Sequence, residues 1–544
     1  MQRVESSSDQ PVRDAVTRRN FLKVGAGAVA LGGAGGLLAG FGSSSSAQTA
    51  KATGSPKRGG TLNLGVISGG TAETVVSALG VNAADIVRLP QLYEPLFRVG
   101  PEIRDLIPTL ALSAEPNTDA TVWTLHLRPG VVWHNGKPFT ADDVVWTIQQ
   151  WQNPRNLSAG QTAGMIDFKG VKKRDNLTVE VPLLVPVAEL PTLLTFYNYL
   201  VVPNGATISE QARNPVGTGP FKFVSFTPGT QSTFAANPHY WQSGLPYVDK
   251  LVVNSSFTDS TAQMDALLAG DIDVFTQVPY TLAKENASNS QIRILNSAGS
   301  NWYQVCMRIN HEPFTDVRVR QAMRLIADRP EIVAAGLDGY GTIGNDLEGD
   351  YCEHFASQLH RSQDIDQAKS LLKAAGKSDL TVTLPVAAAA PGLLESATVY
   401  AQQAKAAGVT VKLQTVSASS YFTPAGGYLS RPFGLDYCAS SWPSLTMTYR
   451  AQFTKSAPYN DTAWGFQPGG AAAGALLAQA IAELNPAKAE QLWYEVQLQQ
   501  FNEGGSIDFA QANYVDAIAT NVQGLQTTKA GYLNDWHLLG AWFS

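Results

Sequence analysis

The segment Trp123-Thr124-Leu125-His126-Leu127-Arg128-Pro129-Gly130-Val131-Val132-Trp133-His134-Asn135-Gly136-Lys137-Pro138-Phe139-Thr140-Ala141-Asp142-Asp143-Val144 holds two structural periods back to back. Trp123, Leu125 and Leu127 alternate with Thr124, His126 and Arg128, as in a half-buried strand, and Pro129-Gly130 stops it. Thr140 with Asp143 then gives a capping box, both aspartates sit at the positive end of the helix dipole, and Val144, Val145 and Ile148 share one face. Strand, turn and helix each offer one apolar side to a common core.

The same alternation of periods extends in both directions. Upstream, a Ser/Gly/Lys/Pro linker over 50–60 leads into Thr61-Leu62-Asn63-Leu64-Gly65-Val66, which alternates as a strand and ends in Ser68-Gly69-Gly70-Thr71, a turn that brings backbone amides to a strand end. Lys172-Lys173-Arg174-Asp175-Asn176 is basic but lies between two strand-like runs and reads as a solvated hairpin turn. Asp316 precedes a helix over Val317–Ala327 whose charges and apolar residues are expected on opposite faces. Asp364 opens another, with Ile365, Ala368, Leu371, Leu372 and Ala375 on one side and Gly376 closing it. Val409-Thr410-Val411-Lys412-Leu413 follows as a strand, so residues from about 316 to 442 form an α/β lobe.

Thr17-Arg18-Arg19-Asn20-Phe21-Leu22-Lys23 stands ahead of a Gly/Ala-rich apolar run over 24–38 and a small-residue stretch that suits cleavage near Ala47 or Ala50. Arg18 and Arg19 are the pair read by twin-arginine export, which places residues 1–50 as signal peptide and linker and the protein on the periplasmic or outer side of the membrane. The run is too short and too glycine-rich for a bilayer span, and no cysteine follows it to accept lipid, so a free mature protein is expected. Without those 50 residues the net charge falls from −6 to −8, which offers no electrostatic footprint for nucleic acid. The remaining length suits two or three domains. Cys306 sits in the apolar run Val305-Cys306-Met307 as a small hydrophobe, and Cys352 and Cys438 are the pair with scope to form a bridge.

Motifs for catalysis fail on context. Gly339-Tyr340-Gly341-Thr342-Ile343-Gly344 matches a dinucleotide fingerprint in letters but lacks the strand before it and the helix after it. His311-Glu312 is followed by Pro313 rather than by a helix with a second histidine. Cys352, Glu353, His354 and His360 lack paired metal-ligand spacing, and no nucleophile elbow or phosphate loop is present. Neither an enzyme nor a resident cofactor is expected.

Several segments together resemble the dipeptide, oligopeptide and nickel-binding family of ABC-importer solute-binding proteins, family 5. They are Tyr93-Glu94-Pro95-Leu96, Ile107-Pro108-Thr109-Leu110-Ala111, the quoted stretch 123–144, Val216-Gly217-Thr218-Gly219-Pro220-Phe221, Asn237-Pro238-His239-Tyr240-Trp241, Asn310 with Pro313-Phe314, and Arg318-Val319-Arg320-Gln321-Ala322. Their order covers nearly all of 58–540. The resemblance implies an α/β, bilobal periplasmic-binding-protein-like fold (type II, cluster C). Lobe I would comprise 57–95, 205–302 and 505–544 with an extra domain at 96–204, lobe II would span 303–504, and two chain crossings near 302 and 505 would form the hinge. A ligand touching both lobes would favour the closed state.

The resemblance also implies where the ligand sits. In similar proteins a strand of lobe II reaches the cleft as an aspartate followed six residues later by tryptophan, here Asp436 and Trp442, with Ser441 and Ser444 alongside. Asp436 itself is expected to be structural. Trp302 and Tyr303 at the first crossing either line the cleft or support the hinge; Ser68, Gly69 and Thr71 are the lobe I candidates, and Tyr421 and Trp464 complete the set. Peptide binders of the family anchor the ligand's amine on an aspartate shortly after that tryptophan, whereas this chain reads Pro443-Ser444-Leu445-Thr446-Met447-Thr448-Tyr449. A hydrogen bond to a charged group is worth about 1.5–3 kcal/mol, so an amine-anchored peptide would bind roughly tenfold to a hundredfold more weakly. The expected function is capture of a peptide or peptide-like solute by a monomer and its delivery to membrane permease subunits. An oligosaccharide, an aromatic compound, a nickel chelate or haem is the alternative ligand; an exported hydrolase and a receptor-like sensor are the rival functions.

Overall fold

A computed structural model describes residues 16–17, 54–156, 162, 164–417, 421–423, 427–438, 442–454, 457, 459–465 and 470–544. Arg18, Arg19, the cleavage region and Ser441 lie outside them.

The organising sheet uses strands from both ends of the chain. In chain order these are β1 (Thr61–Ile67), β2 (Phe221–Thr227), β3 (Gln231–Ala236), β4 (Lys250–Phe257), β5 (Val274–Phe275), β6 (Ile292–Met307), β7 (Phe433–Tyr437) and β8 (Ser506–Ala519). Their spatial order is β7-β6-β8-β5-β1-β4-β3-β2, with the short strand Gly341–Ile343 also on β8. β1 pairs in parallel with β4 and β5, and the other neighbours are antiparallel.

β6 and β8 are long because each serves two regions. Ile292–Ser297 pair with Tyr514–Ala519 beside β5, while Asn301–Cys306 pair with Ser506–Ala512 beside β7. The ladder is interrupted between Ser297 and Asn301 and again between Tyr303 and Gln304. Gly299 fits the first interruption because a Cβ there would stand 2.1 Å from the Ala512 carbonyl oxygen.

Beyond the break the two faces of this sheet differ in chemistry. Tyr303, Val305, Met307, Phe433, Leu435, Ile507 and Phe509 point into an apolar core shared with the helices Val317–Leu325 and Leu393–Ala404. Trp302, Gln304, Cys306, Asp436 and Cys438 take the other face, as a period of two requires.

The quoted stretch 123–144 folds as its periods dictate. Val122–Leu127 is an inner strand of a four-stranded sheet, and Ala141–Gln150 is the helix after it. Asp143 holds the helix entry, accepting from Thr140 N at 2.8 Å, Trp133 Nε1 at 3.2 Å and, from another segment, Asn204 N at 2.8 Å. Lys172–Asp175 forms the exposed edge strand of this sheet rather than the turn itself, tied down by ion pairs to Glu180 and Asp142. Thr381–Val386 and Thr410–Thr415 pair in parallel, joined by the Leu393–Ala404 helix, which is the α/β rhythm expected of this region.

The Val317–Leu325 helix departs from a clean division of charge and apolar faces. Arg318 is exposed, but Arg320 and Arg324 are 2% and 0% exposed. Arg320 donates to the Glu503 carbonyl through Nε and Nη2, and Arg324 donates to the carbonyls of Phe501 and Ser506, each at 2.8 Å. These carbonyls end the Pro486–Glu503 helix and begin β8, where backbone acceptors lack intrahelical partners. Burial pushes the Arg324 guanidinium down to about 9.

Removing Arg324 strands buried acceptors, each costing about 1–3 kcal/mol, whereas Arg318 makes a surface pair worth under about 1 kcal/mol. Arg324→Ala is expected to lower the denaturant midpoint clearly and Arg318→Ala barely. Equal midpoints for the two variants would contradict the capping role.

Candidate ligand-binding cleft

The polar face of β6 and β7 meets a layer of aromatic side chains at one end. Trp302 and Trp442 lie edge to face with ring centroids 6.0 Å apart, and Tyr459 packs on Trp442 at 5.8 Å. Around them Cys438 N donates to Trp302 O, Cys352 Sγ donates to Trp442 O at 3.3 Å, and Trp442 N reaches the Tyr351 hydroxyl at 3.4 Å. All three cysteines are free thiols, so Cys352 and Cys438 flank the tryptophans without bridging. Trp302 is 1% exposed, yet its Nε1 has no hydrogen-bond partner among the described residues. A buried indole N–H left unpaired is a donor aimed at whatever enters beside it.

Next to Trp442, Pro443 closes a cavity of about 40 Å³ whose other walls include Arg98, Tyr197, Asp535 and His537. That volume holds water molecules but not a peptide. Arg104 Nε donates to the Tyr351 carbonyl at 3.0 Å and Ala188 N to the Ile481 carbonyl at 2.8 Å, while the apolar core around Trp123 runs on without a break to Trp302, Trp442 and Trp464.

Other expected site residues fall elsewhere. Tyr303 and Tyr421 lie on the apolar side of the sheet; Tyr303 donates to Pro391 O at 2.8 Å, and the Tyr421 hydroxyl accepts from Leu435 N at 2.8 Å and donates to Pro385 O at 3.0 Å. Trp464 packs edge-on against Phe453 and Tyr449. Ser444 caps the Leu445–Gln452 helix by accepting from Met447 N. The turn after β1 uses its own amides: Gly69 N donates to Glu73 Oε1 at 2.9 Å and Gly70 N to Ser68 Oγ at 3.0 Å. Gly69 itself is wedged against Asn82, and Thr71 is exposed. The structure thus joins Trp302 with Trp442 and leaves Ser68, Gly69, Thr71, Tyr303, Tyr421, Ser444 and Trp464 in separate local roles.

Tyr351, Tyr459, Arg98, Asp535 and His537 escaped the sequence reading, because each reaches the cleft from a loop or a short element without periodicity. A run of four positive φ angles from Leu533 to Trp536 was equally invisible. Asp535, half-buried in that turn, is pushed up to about 7 by desolvation, which Arg98 only partly offsets.

An aspartate with a raised folded pKa stabilises the fold fully below its unfolded value of about 3.9, and this contribution disappears as pH rises through the folded value. Asp535→Asn is therefore expected to gain melting temperature relative to wild type between pH 5 and 7.5. A difference independent of pH would rule out a neutral Asp535.

Among the described residues no helix is long and apolar enough to cross a membrane. The family model of bacterial extracellular solute-binding proteins, family 5 middle region, matches residues 105–437. The chain is 26% identical over 479 residues to the probable peptide ABC transporter periplasmic-binding protein y4tO of Sinorhizobium fredii, covering 82% of this chain and 83% of that protein. It is 27% identical over 303 residues to the glutathione-binding protein GsiB of Pectobacterium atrosepticum, covering 54% of this chain but only 57% of that one. The periplasmic binding protein AgaA of A. tumefaciens R10, solved with agropinic acid, superposes with a TM-score of 0.74 at 21% identity, over 89% of this chain and 99% of that one. The fold is accordingly the bilobal type II periplasmic-binding-protein architecture, and this chain belongs to the bacterial extracellular solute-binding proteins of family 5.

Proposed function

We propose that this protein is the extracytoplasmic component of an ABC importer and captures a peptide or peptide-like organic solute between its two lobes. The observation that carries this reading is the Trp302–Trp442 pair with its unpaired indole N–H, set where β6 passes from one region of the sheet to the other. An aromatic wall with a single directed donor suits a mainly apolar or amide-bearing ligand, whose remaining polar groups are served by water or backbone. The peptide and glutathione relatives favour the same class.

Lobe I comprises 57–95, 205–302 and 505–544 with the extra domain 96–204, and lobe II comprises 303–504. The hinge is the pair of chain crossings near 302 and 505, the first of them flanked by the two interruptions of the β6–β8 ladder. Export follows the twin-arginine route directed by Arg18 and Arg19, and the mature monomer presents its closed form to the permease. The protein catalyses no reaction: binding without turnover on an ester, peptide and glycoside panel is the expected result.

A second reading, a ligand without a free amine, is favoured by one observation. The segment after Trp442 turns at once into a helix whose first residues, Leu445 to Thr448, are buried and carry no acid.

Native mass spectrometry of gently purified protein, with identification of what is released on unfolding, tests both. A ligand present at 100 times its dissociation constant adds about 2.7 kcal/mol to stability and is visible as a thermal shift. Trp442→Ala is expected to weaken its binding roughly thirtyfold, the loss of about 2 kcal/mol that defines a hot spot, while Tyr421→Phe leaves it unchanged. Equal affinities in Trp442→Ala and wild type would remove Trp442 from the pocket. Scattering profiles that do not contract on saturation would argue against lobe closure.

A further inference from the structure

The polar face of the β6–β7 ladder carries a second cluster, deeper in the sheet than the tryptophans. Gln304 pairs with Asp436 and Cys306 with Gly434, so Gln304, Cys306 and Asp436 share one face. Asp461, from the loop after the Leu445–Gln452 helix, joins them: the Cys306 sulfur and one carboxylate oxygen each from Asp436 and Asp461 all lie within 4.8 Å of one another. Cys306 and Asp436 are 3% exposed, whereas Asp461 keeps partial access to solvent. The cluster is buried but reachable.

Two independent features point at a guest between these groups. Gln304 is 1% exposed, stands directly opposite Asp436, and neither atom of its side-chain amide has a hydrogen-bond partner. Glu348, also 1% exposed, has one carboxylate oxygen unpartnered and the other accepting from Gln500 Nε2 at 2.7 Å, and its charge is felt by both Cys306 and Asp436. The neighbouring guanidinium, Arg308, directs its Nη1 to the main-chain carbonyls of Leu429, Asn460 and Asp461 rather than to the carboxylates. A thiol and two carboxyl groups crowded together away from water are donors that a divalent ion can hold in place of their protons.

We propose that Cys306, Asp436 and Asp461 bind one zinc-class divalent ion, with water in the fourth position. A sulfur donor beside carboxylates favours borderline-soft zinc over magnesium or calcium, which take oxygen ligands. Zinc ligands at about 2.0–2.3 Å from the metal stand a little closer together than the 4.8 Å that bounds these three donors, a contraction that side-chain rotation supplies. On binding, the thiol gives its proton to solvent and no electron is transferred. The ion fastens the Asp461 loop to β7; Tyr459 of that loop packs on Trp442, so the metal also steadies the aromatic wall. The site does not depend on which solute the cleft takes.

The test uses the full mature chain, stripped with chelator and then titrated with Zn²⁺ by calorimetry and with Co²⁺ by absorption spectroscopy. One ion per chain and a thiolate-to-cobalt charge-transfer band are expected. Cys306→Ser should abolish the band, and Asp461→Asn, at a partly exposed position the fold tolerates, should weaken Zn²⁺ binding at least about tenfold. If Cys306→Ser fails to fold, the wild-type band and Asp461→Asn decide. The proposal is overturned if wild-type protein retains no ion, if binding is unchanged in both variants, or if His354→Ala removes it, since that would place the metal at the His354–Glu490 contact.

Discussion

The antiparallel ladder between β6 and β8 is the constraint on which the other placements depend. These two strands join the region built on β1 and β5 to the region built on β7, and their hydrogen bonds fix the register of both. A one-residue slip would turn Tyr303, Val305 and Met307 out of the apolar core and put Trp302, Gln304 and Cys306 into it. At Gly299 the pairing is interrupted and close backbone contact with Ala512 replaces it. Placing the aromatic pair immediately beyond that break means that any rotation of one region against the other changes what faces Trp302.

Buried charge is concentrated where chain segments meet. Arg320 and Arg324 close the end of the Pro486–Glu503 helix, and Arg329 and Arg361 both pair with the fully buried Asp346. On the other side of the molecule Arg88 pairs with Glu73 and Asp85, all three away from solvent. Such networks contribute little net stability compared with apolar packing, but breaking one by removing a single partner is expensive. They therefore specify which segments lie together more than they strengthen the assembly.

What the sequence disclosed follows the range of each interaction. Local periods placed the strand at Trp123, the helix entry at Thr140–Asp143 and the helix opened by Asp364, whose side chain accepts from Gln367 N. The aspartate-to-tryptophan spacing from Asp436 singled out Trp442 because the family pattern carries long-range information that periodicity lacks. Long-range polar pairing stayed hidden. Nothing in Val317-Arg318-Val319-Arg320 distinguishes an arginine that caps a helix 180 residues away from one in solvent. The turn Ser68-Gly69-Gly70-Thr71 looked like a donor of free amides because nothing in a period of two reveals that Glu73, four residues beyond Gly69, folds back to accept from it. Cys306 looked apolar because its neighbours Val305 and Met307 are, although they occupy the opposite face.

The turn Leu533–Trp536 joins these threads. Four successive residues with φ between 45° and 63° form a left-handed turn without glycine, a conformation costing roughly 1–2 kcal/mol per residue. It persists because both ends are held: Leu533 N donates to Asp516 Oδ2 at 2.9 Å, and the Trp536 carbonyl accepts from Gln91 Nε2 at 2.6 Å. Asp516 belongs to β8 and Gln91 to the Ala83–Leu92 helix, so the turn is clamped between the crossing ladder and the element that packs on β1. A segment over-determined in this way does not reshape itself around a guest. Asp535, Trp536 and His537 are therefore held as a fixed wall of the small cavity that Pro443 also lines.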